Sequence, residues 1–161
     1  MPYFRHGMDD PVGNFSTTLG QAALARDWAA VHRCLAPWLR AKLTVAAVQA
    51  FFEDEYRTNL KANGIEDLHY PEYPEPGVGG NGFTNATELR KPLSWLPAGK
   101  NTRNVPPEVT DANMRYWAMV QLQCSDDQMA KLGFDHFAEI WLAVVETEEG
   151  LRVGYWSHGA Y

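Results

Sequence analysis

No stretch of this chain is apolar for long enough to span a bilayer. The most apolar segment, "FAEIWLAVV", is short and carries Glu139, whereas a spanning helix needs about 20 apolar residues. The opening "MPYFRHGMDDPVGNF" lacks the apolar segment of a signal peptide. Positive charge is scarce as well: 14 Lys and Arg stand against 20 Asp and Glu, a net charge of −6. A nucleic acid or an anionic membrane surface requires a basic surplus to displace counterions, so neither partner is expected. Cysteine is limited to Cys34 and Cys124, which read as free thiols of a reducing compartment. These absences together lead to the expectation of a soluble, cytoplasmic protein.

What is present suits one domain, residues 1–161, with a single sizeable core. The chain is 45% hydrophobic and 21% charged, ordinary values for a folded protein. Aromatics are plentiful at 12%, with six Trp. Large rings fill cores, line pockets or anchor interfaces.

Residues 1–16 mix Pro, Gly and Asp and read as an irregular arm. Thr18-Leu19-Gly20-Gln21 fits a capping box, which places a helix start near Thr18. Leu24, Trp28, Val31 and Leu35 then recur on one helical face until Pro37 breaks the run. Pro37 suits the first position of a short helical turn. Thr44 caps a second long helix whose expected apolar stripe is Val45, Val48, Phe52 and Tyr56, with Glu53, Asp54 and Arg57 facing water. "KANG" ends it. Residues 65–110 are rich in Pro, Gly and Asn and read as a long insertion or lid, in which "GFTNATELRKPLSWL" holds a strand or a short helix.

From residue 112 the apolar period switches to two. "MRYWAMVQLQC", "DHFAEIWLAVVET" and "LRVGYWSHGAY" read as long antiparallel strands, the last two joined by "EEG". A second capping-box match at Ser125-Asp126-Asp127-Gln128 suggests a helical turn between the first two. Helices followed by such strands mean an α+β fold, with N-terminal helices packed on one face of a curved antiparallel sheet.

The segment "ALARDWAAVHRCLAPWLRAKLTVAAVQAFFEDEYR" resembles the N-terminal helices of the nuclear transport factor 2-like superfamily. Those are cystatin-like α+β cones that include ketosteroid isomerase and scytalone dehydratase. The phrase "ARDWAAVHRCLAPWL" followed by "LT…V…FF" resembles small bacterial members with no assigned activity. The resemblance covers residues 18–62 best and implies a strongly bent sheet with a pocket at its open end, often in a homodimer. It does not imply one chemistry, because that fold hosts isomerases, dehydratases, hydrolases and binding modules. Residues 65–110 have no counterpart in the pattern.

Candidate chemistry is thin. His32 lies four residues after Trp28 and borders the apolar stripe. It reads either as a general base or as a boundary histidine bonded to a nearby carbonyl, the plainer and favoured reading. His136 is the second candidate base, with Asp135 and Glu139 on the opposite strand phase. "GVGGNG", residues 77–82, matches a dinucleotide fingerprint in letters but lacks the preceding strand and following helix. Glu66, Asp67 and His69 have no diagnostic metal spacing, so neither metal nor cofactor is expected. Cys34 sits two residues from His32, on another side of the helix, which argues against a nucleophile pair.

The aromatic set carries the functional expectation. Trp28, His32, Tyr56, Trp117, Trp141 and Trp156 are the candidate ligand-binding residues, for a small apolar or aromatic molecule bound without catalysis. The alternatives are an enzyme of the isomerase, dehydratase or hydrolase kind, and a protein-interaction adaptor acting through the Pro-rich segment. The neighbouring pairs Tyr116/Trp117 and Tyr155/Trp156 put rings on both sheet faces. A bare outer face would expose too large an apolar patch for a monomer, so a homodimer through that face is expected. Self-cover by residues 70–110 is the rival.

Overall fold

A computed structural model describes residues 10–62, 73–77, 84–123, 127, 130 and 137–158. Four helices come first: α1 (Asp10–Leu24), α2 (Trp28–Arg33), α3 (Pro37–Arg40) and α4 (Val45–Ala62). They are followed by β1 (Tyr73–Gly77), the short α5 (Ala86–Arg90), β2 (Met114–Gln123), β3 (Phe137–Thr147) and β4 (Gly150–Ser157). The strands form an antiparallel sheet in the order β1-β2-β3-β4. The fold is therefore α+β, with the N-terminal helices on an antiparallel sheet.

The first helix begins earlier than its capping box suggests. Thr17 and Thr18 do not cap; their hydroxyls donate back to the carbonyls of Gly13 and Asn14, each at 2.9 Å. That bonding keeps both threonines inside a helix already begun at Asp10, with Pro11 tolerated in its first turn. The helix also stops where periodicity would continue it. The Asp27 amide bonds to the Ala22 carbonyl and the Arg26 amide to Ala23, the Schellman pattern, with Arg26 at φ 56° where glycine is usual. Asp27 then caps α2 by accepting from the Ala30 amide at 3.1 Å.

In α4, Thr44 caps as expected, accepting from the Ala47 amide at 3.1 Å. Val48 and Phe52 are buried, but Val45 in the first turn is 40% exposed. Glu53, expected in water, is buried, and its carboxylate accepts from Gln49 Nε2 one turn earlier at 3.1 Å. The long insertion supplies the sheet's edge strand. In β1, Pro74 and Pro76 stand opposite Leu122 and Val120, an edge position where the missing amide donors cost no ladder bond.

Two cores lie on the two faces of the sheet. The helix face buries Val12, Leu19, Trp28, Val31, Leu35, Phe52 and their neighbours against Ala118, Val120, Ile140, Leu142, Val144 and Val153. The outer face buries Trp117, Met119, Trp141, Ala143 and Val145 under Ala86, Leu89 and Val109. The sequence argument for a second copy needed this outer face to be bare, and the 84–113 segment lies across it as a strap. Asn85 caps α5, Arg90 Nη2 donates to the carbonyls of Pro106 and Val109, and Arg103 Nη1 donates to Leu89.

The last strand carries a register shift: Ala143 pairs with Tyr155 but Val144 pairs with Val153, leaving Gly154 as the extra residue. The bulge lets Val153 and Trp156 both join the helix face while Tyr155 joins the outer face. A Cβ on Gly154 would lie 2.8 Å from Val145 Cγ1 and 3.0 Å from Val109 Cγ2, so strand and strap require glycine here. The outer edge of β4 is not open. Ala36 donates to the Val153 carbonyl and Val153 to the Cys34 carbonyl, each at 2.8 Å, and Trp38 Nε1 donates to the Gly154 carbonyl at 2.9 Å.

Candidate functional site

The expected ligand set divides between the two sheet faces. Trp28 and Trp156 lie on the helix face; Trp117 and Trp141 lie on the outer face. Strand period two forces this, because successive residues point to opposite sides. Tyr56 belongs to α4, but its side chain lies outside the described ones, as do His136, Asp135, Cys124, the Glu66, Asp67 and His69 group, and most of the 77–82 loop and the 125–128 capping box.

On the outer face Trp117 and Trp141 stack at 5.6 Å between centroids, and Trp117 stacks with Tyr155 at 6.0 Å. The small Ala143, opposite both Trp117 and Tyr155, gives the rings room. The Arg103 guanidinium lies 5.2 Å from the Trp117 ring centroid, a cation–π contact from the strap. The Tyr155 hydroxyl bonds to Ser157 and to the backbone of Asn104, while burial raises its pKa against the pull of Arg103. Trp117 is 1% exposed. These rings are a core shut by a strap.

The helix face is different at its edge, where α4 meets the end of β4. Phe52 is buried, 5.6 Å from Trp28 and 5.6 Å edge-on to Trp156. Phe51 is half-buried and stacks on Trp156 at 4.2 Å with 4° between planes. It also stacks on His158 at 3.9 Å and 19°. Two near-parallel rings within 4.2 Å of one centroid cannot share a face of it, so Phe51 sits between them. Trp156 and His158 are themselves half-buried.

His158 gives this edge a titratable group. Burial lowers its pKa below the ordinary 6.5, and the Asp54 carboxylate on α4 pulls the other way. Burial is the larger cause, so the ring is predominantly neutral at pH 7. A neutral imidazole can accept a proton, and its ring can stack.

His32 is not part of this cluster. Its Nε2 lies 2.7 Å from the Leu43 carbonyl, which fixes a proton on that nitrogen and ties α2 to the turn before α4. Cys34 caps α2 and is half-buried, and burial raises its thiol pKa against the nearby Arg152 and Arg33 charges. A protonated thiol is a poor nucleophile.

A separate open cleft of about 520 Å³ lies between Pro37, Trp38, Asn113 and the β3–β4 turn, residues 146–149. Two of its glutamates, Glu146 and Glu149, are answered by arginines. Arg40 Nη2 reaches both oxygens of Glu149 at 2.8 and 2.9 Å, Arg152 Nε lies 3.9 Å from Glu149, and Arg115 Nη1 lies 3.6 Å from Glu146. Such exposed pairs contribute little stability. Among the described residues no three His, Cys, Asp or Glu converge as metal ligands, and no helix is long and apolar enough to cross a membrane.

Sequence reasoning did not single out Phe51, Asp54 or His158 as site residues. His158 was legible in principle: it lies two residues after Trp156, just past the end of β4. Phe51 lay beside the expected stripe, which was centred on Phe52. No family model, curated protein or solved structure matches this chain.

Proposed function

We propose that this protein binds a small, planar, mainly apolar molecule at the edge where α4 crosses the end of β4, and that it does so without catalysis. The observation that carries this reading is the half-buried ring stack of Trp156, Phe51 and His158, backed by Phe52 and Trp28. Ligand sites are mostly apolar and aromatic, with a few polar groups that set orientation, and Asp54 and His158 are such groups. The order of elements, and the register shifts at Met114/Tyr116 and Gly154 where strands bend, support a cone of the nuclear transport factor 2-like kind. A homodimer through the outer face is no longer supported by the argument that suggested it, because the strap occupies that face.

Native mass spectrometry of the protein as purified tests the reading. Extra small-molecule mass on the wild type, absent from Trp156→Ala, is the expected result. Bare protein in both, or equal loading of both, removes it.

The titratable His158 leaves room for a second reading. The Asp54 charge acts on His158, so isomerase, dehydratase or hydrolase chemistry would use His158 as base in place of His32. An NMR titration in which Asp54→Asn lowers the His158 pKa further supports that pairing; an unchanged titration withdraws it. The adaptor reading finds less: the strap turns Ala86, Leu89, Leu93 and Val109 inward, with Trp95 its one large apolar side chain strongly exposed among the described residues, at 65%.

A further inference from the structure

We infer that Trp156 and His158 form a clamp for one planar ring, that Phe51 is its resident occupant, and that a planar aromatic ligand enters by displacing the Phe51 ring. The inference rests on the binding reading above and names the ligand's class and its mode of entry.

The geometry of a strand supplies the clamp. Residues i and i+2 project from the same face about 7 Å apart, and two ring-to-ring contacts of about 3.5 Å fill that span. Trp156 lies in β4 and His158 directly follows its last residue, Ser157, with both rings stacked on Phe51. Phe51 lies between them, with planes 4° and 19° from theirs and centroid separations of 4.2 and 3.9 Å. The slot therefore accepts one flat ring and excludes a puckered one of similar volume.

The occupant is the right residue to leave. Phe52 is 1% exposed and fixes α4 against Trp28 and Trp156. Phe51 is its neighbour but half-buried and T-shaped to it at 81°. Rotation about χ1 carries the Phe51 ring toward solvent while Phe52 holds the helix in place, since helical residues have two accessible χ1 wells.

The polar rim narrows the ligand. Asp54 is exposed on α4 three residues after Phe51, which puts it on the same helix face one turn on. A carboxylate at the mouth repels an anionic ring and favours one with an N–H donor at its edge. The class is a planar, uncharged heteroaromatic bearing an N–H, of which indole is the simplest probe.

Isothermal titration of wild type, Phe51→Ala and Trp156→Ala with indole, and with cyclohexanol as the puckered control, tests the proposal. If Phe51 fills the slot in about nine molecules of ten, its removal strengthens indole binding roughly tenfold. The expected result is that gain in Phe51→Ala, none for cyclohexanol, and loss of binding in Trp156→Ala. Phe51→Leu, which keeps an apolar side chain on the helix but no flat ring, gives the same gain and substitutes if the alanine variant is unfolded by circular dichroism. Wild-type binding that weakens in Phe51→Ala makes Phe51 a wall of the site; it overturns the gate while the binding reading stands. Binding by Phe51→Ala alone keeps the clamp and removes the reading for the natural chain. No binding by any variant overturns both.

Discussion

The two faces of this sheet are both aromatic, yet they are closed by different means. On the outer face Trp117, Trp141 and Tyr155 lie under a strap that is itself pinned by backbone and guanidinium contacts. On the helix face the deep rings are equally buried, but the edge is finished by one half-buried phenyl ring between two half-buried partners. The difference teaches that aromatic content does not mark a site. A ring held by carbonyl-bonded arginine and a glycine bulge is core, whereas a ring closed by another side chain can exchange its partner.

The largest effect that would break this contrast is at Trp117. Trp117→Ala costs about 3–5 kcal/mol in denaturant unfolding if the outer face is true core. A loss below about 1 kcal/mol, the scale of an exposed residue, would make the strap a loose cover. Next is Gly154→Ala, which drives a Cβ into Val145 and Val109 and costs about 1–3 kcal/mol. Trimming Val145 to Ala in the same chain recovers part of that loss; additive losses would locate the strain elsewhere.

Phe51→Ala sharpens the comparison from the other side. The ring is half-buried, so its removal costs about 1–2 kcal/mol, below the full range for a buried phenylalanine. Arg103→Ala costs about 1 kcal/mol through its carbonyl bond and ring contact. Its clearer readout is hydrogen exchange: amides of residues 86–110 open faster while those of α1 keep their rates.

The smallest effect is in pH, where the two faces respond in different windows. His158 has a folded pKa below its ordinary 6.5, so the fold prefers the neutral ring. That stability is whole above about 6.5 and declines as pH falls toward the folded value. Asp111 also has a lowered pKa, held by the Thr87 hydroxyl and amide at 2.6 and 2.7 Å. Its contribution is present above the ordinary 3.8 and is lost as pH falls through the lower folded value. Indole-ring NMR signals of Trp156 therefore shift first on acidification and those of Trp117 later. Simultaneous shifts would contradict separate closure.

Much of this was legible in the residues. Period two in 114–123 and 137–157 gave the strands and their face assignments, and Pro37, Thr44 and Gly150 placed turns and caps where they stand. The break at Arg26 was not legible, because a left-handed arginine has no composition signal; only the Asp27 cap hints at it. The edge strand was hidden by Pro74 and Pro76, which argue against a strand anywhere but at an edge. The strap could be read as a rival to a dimer but not chosen, since nothing local says which surface Leu89 and Val109 cover. The site suffered in the same way. Phe51 and His158 are 107 residues apart in sequence and meet through the packing of α4 on the sheet.

The most direct test is a chemical-shift map of the wild-type protein titrated with indole. The account predicts saturable changes at Phe51, Trp156 and His158, with Trp117 and Trp141 unmoved. Changes centred on Trp117 and Trp141 would show that the strap, and not the α4 edge, is the door.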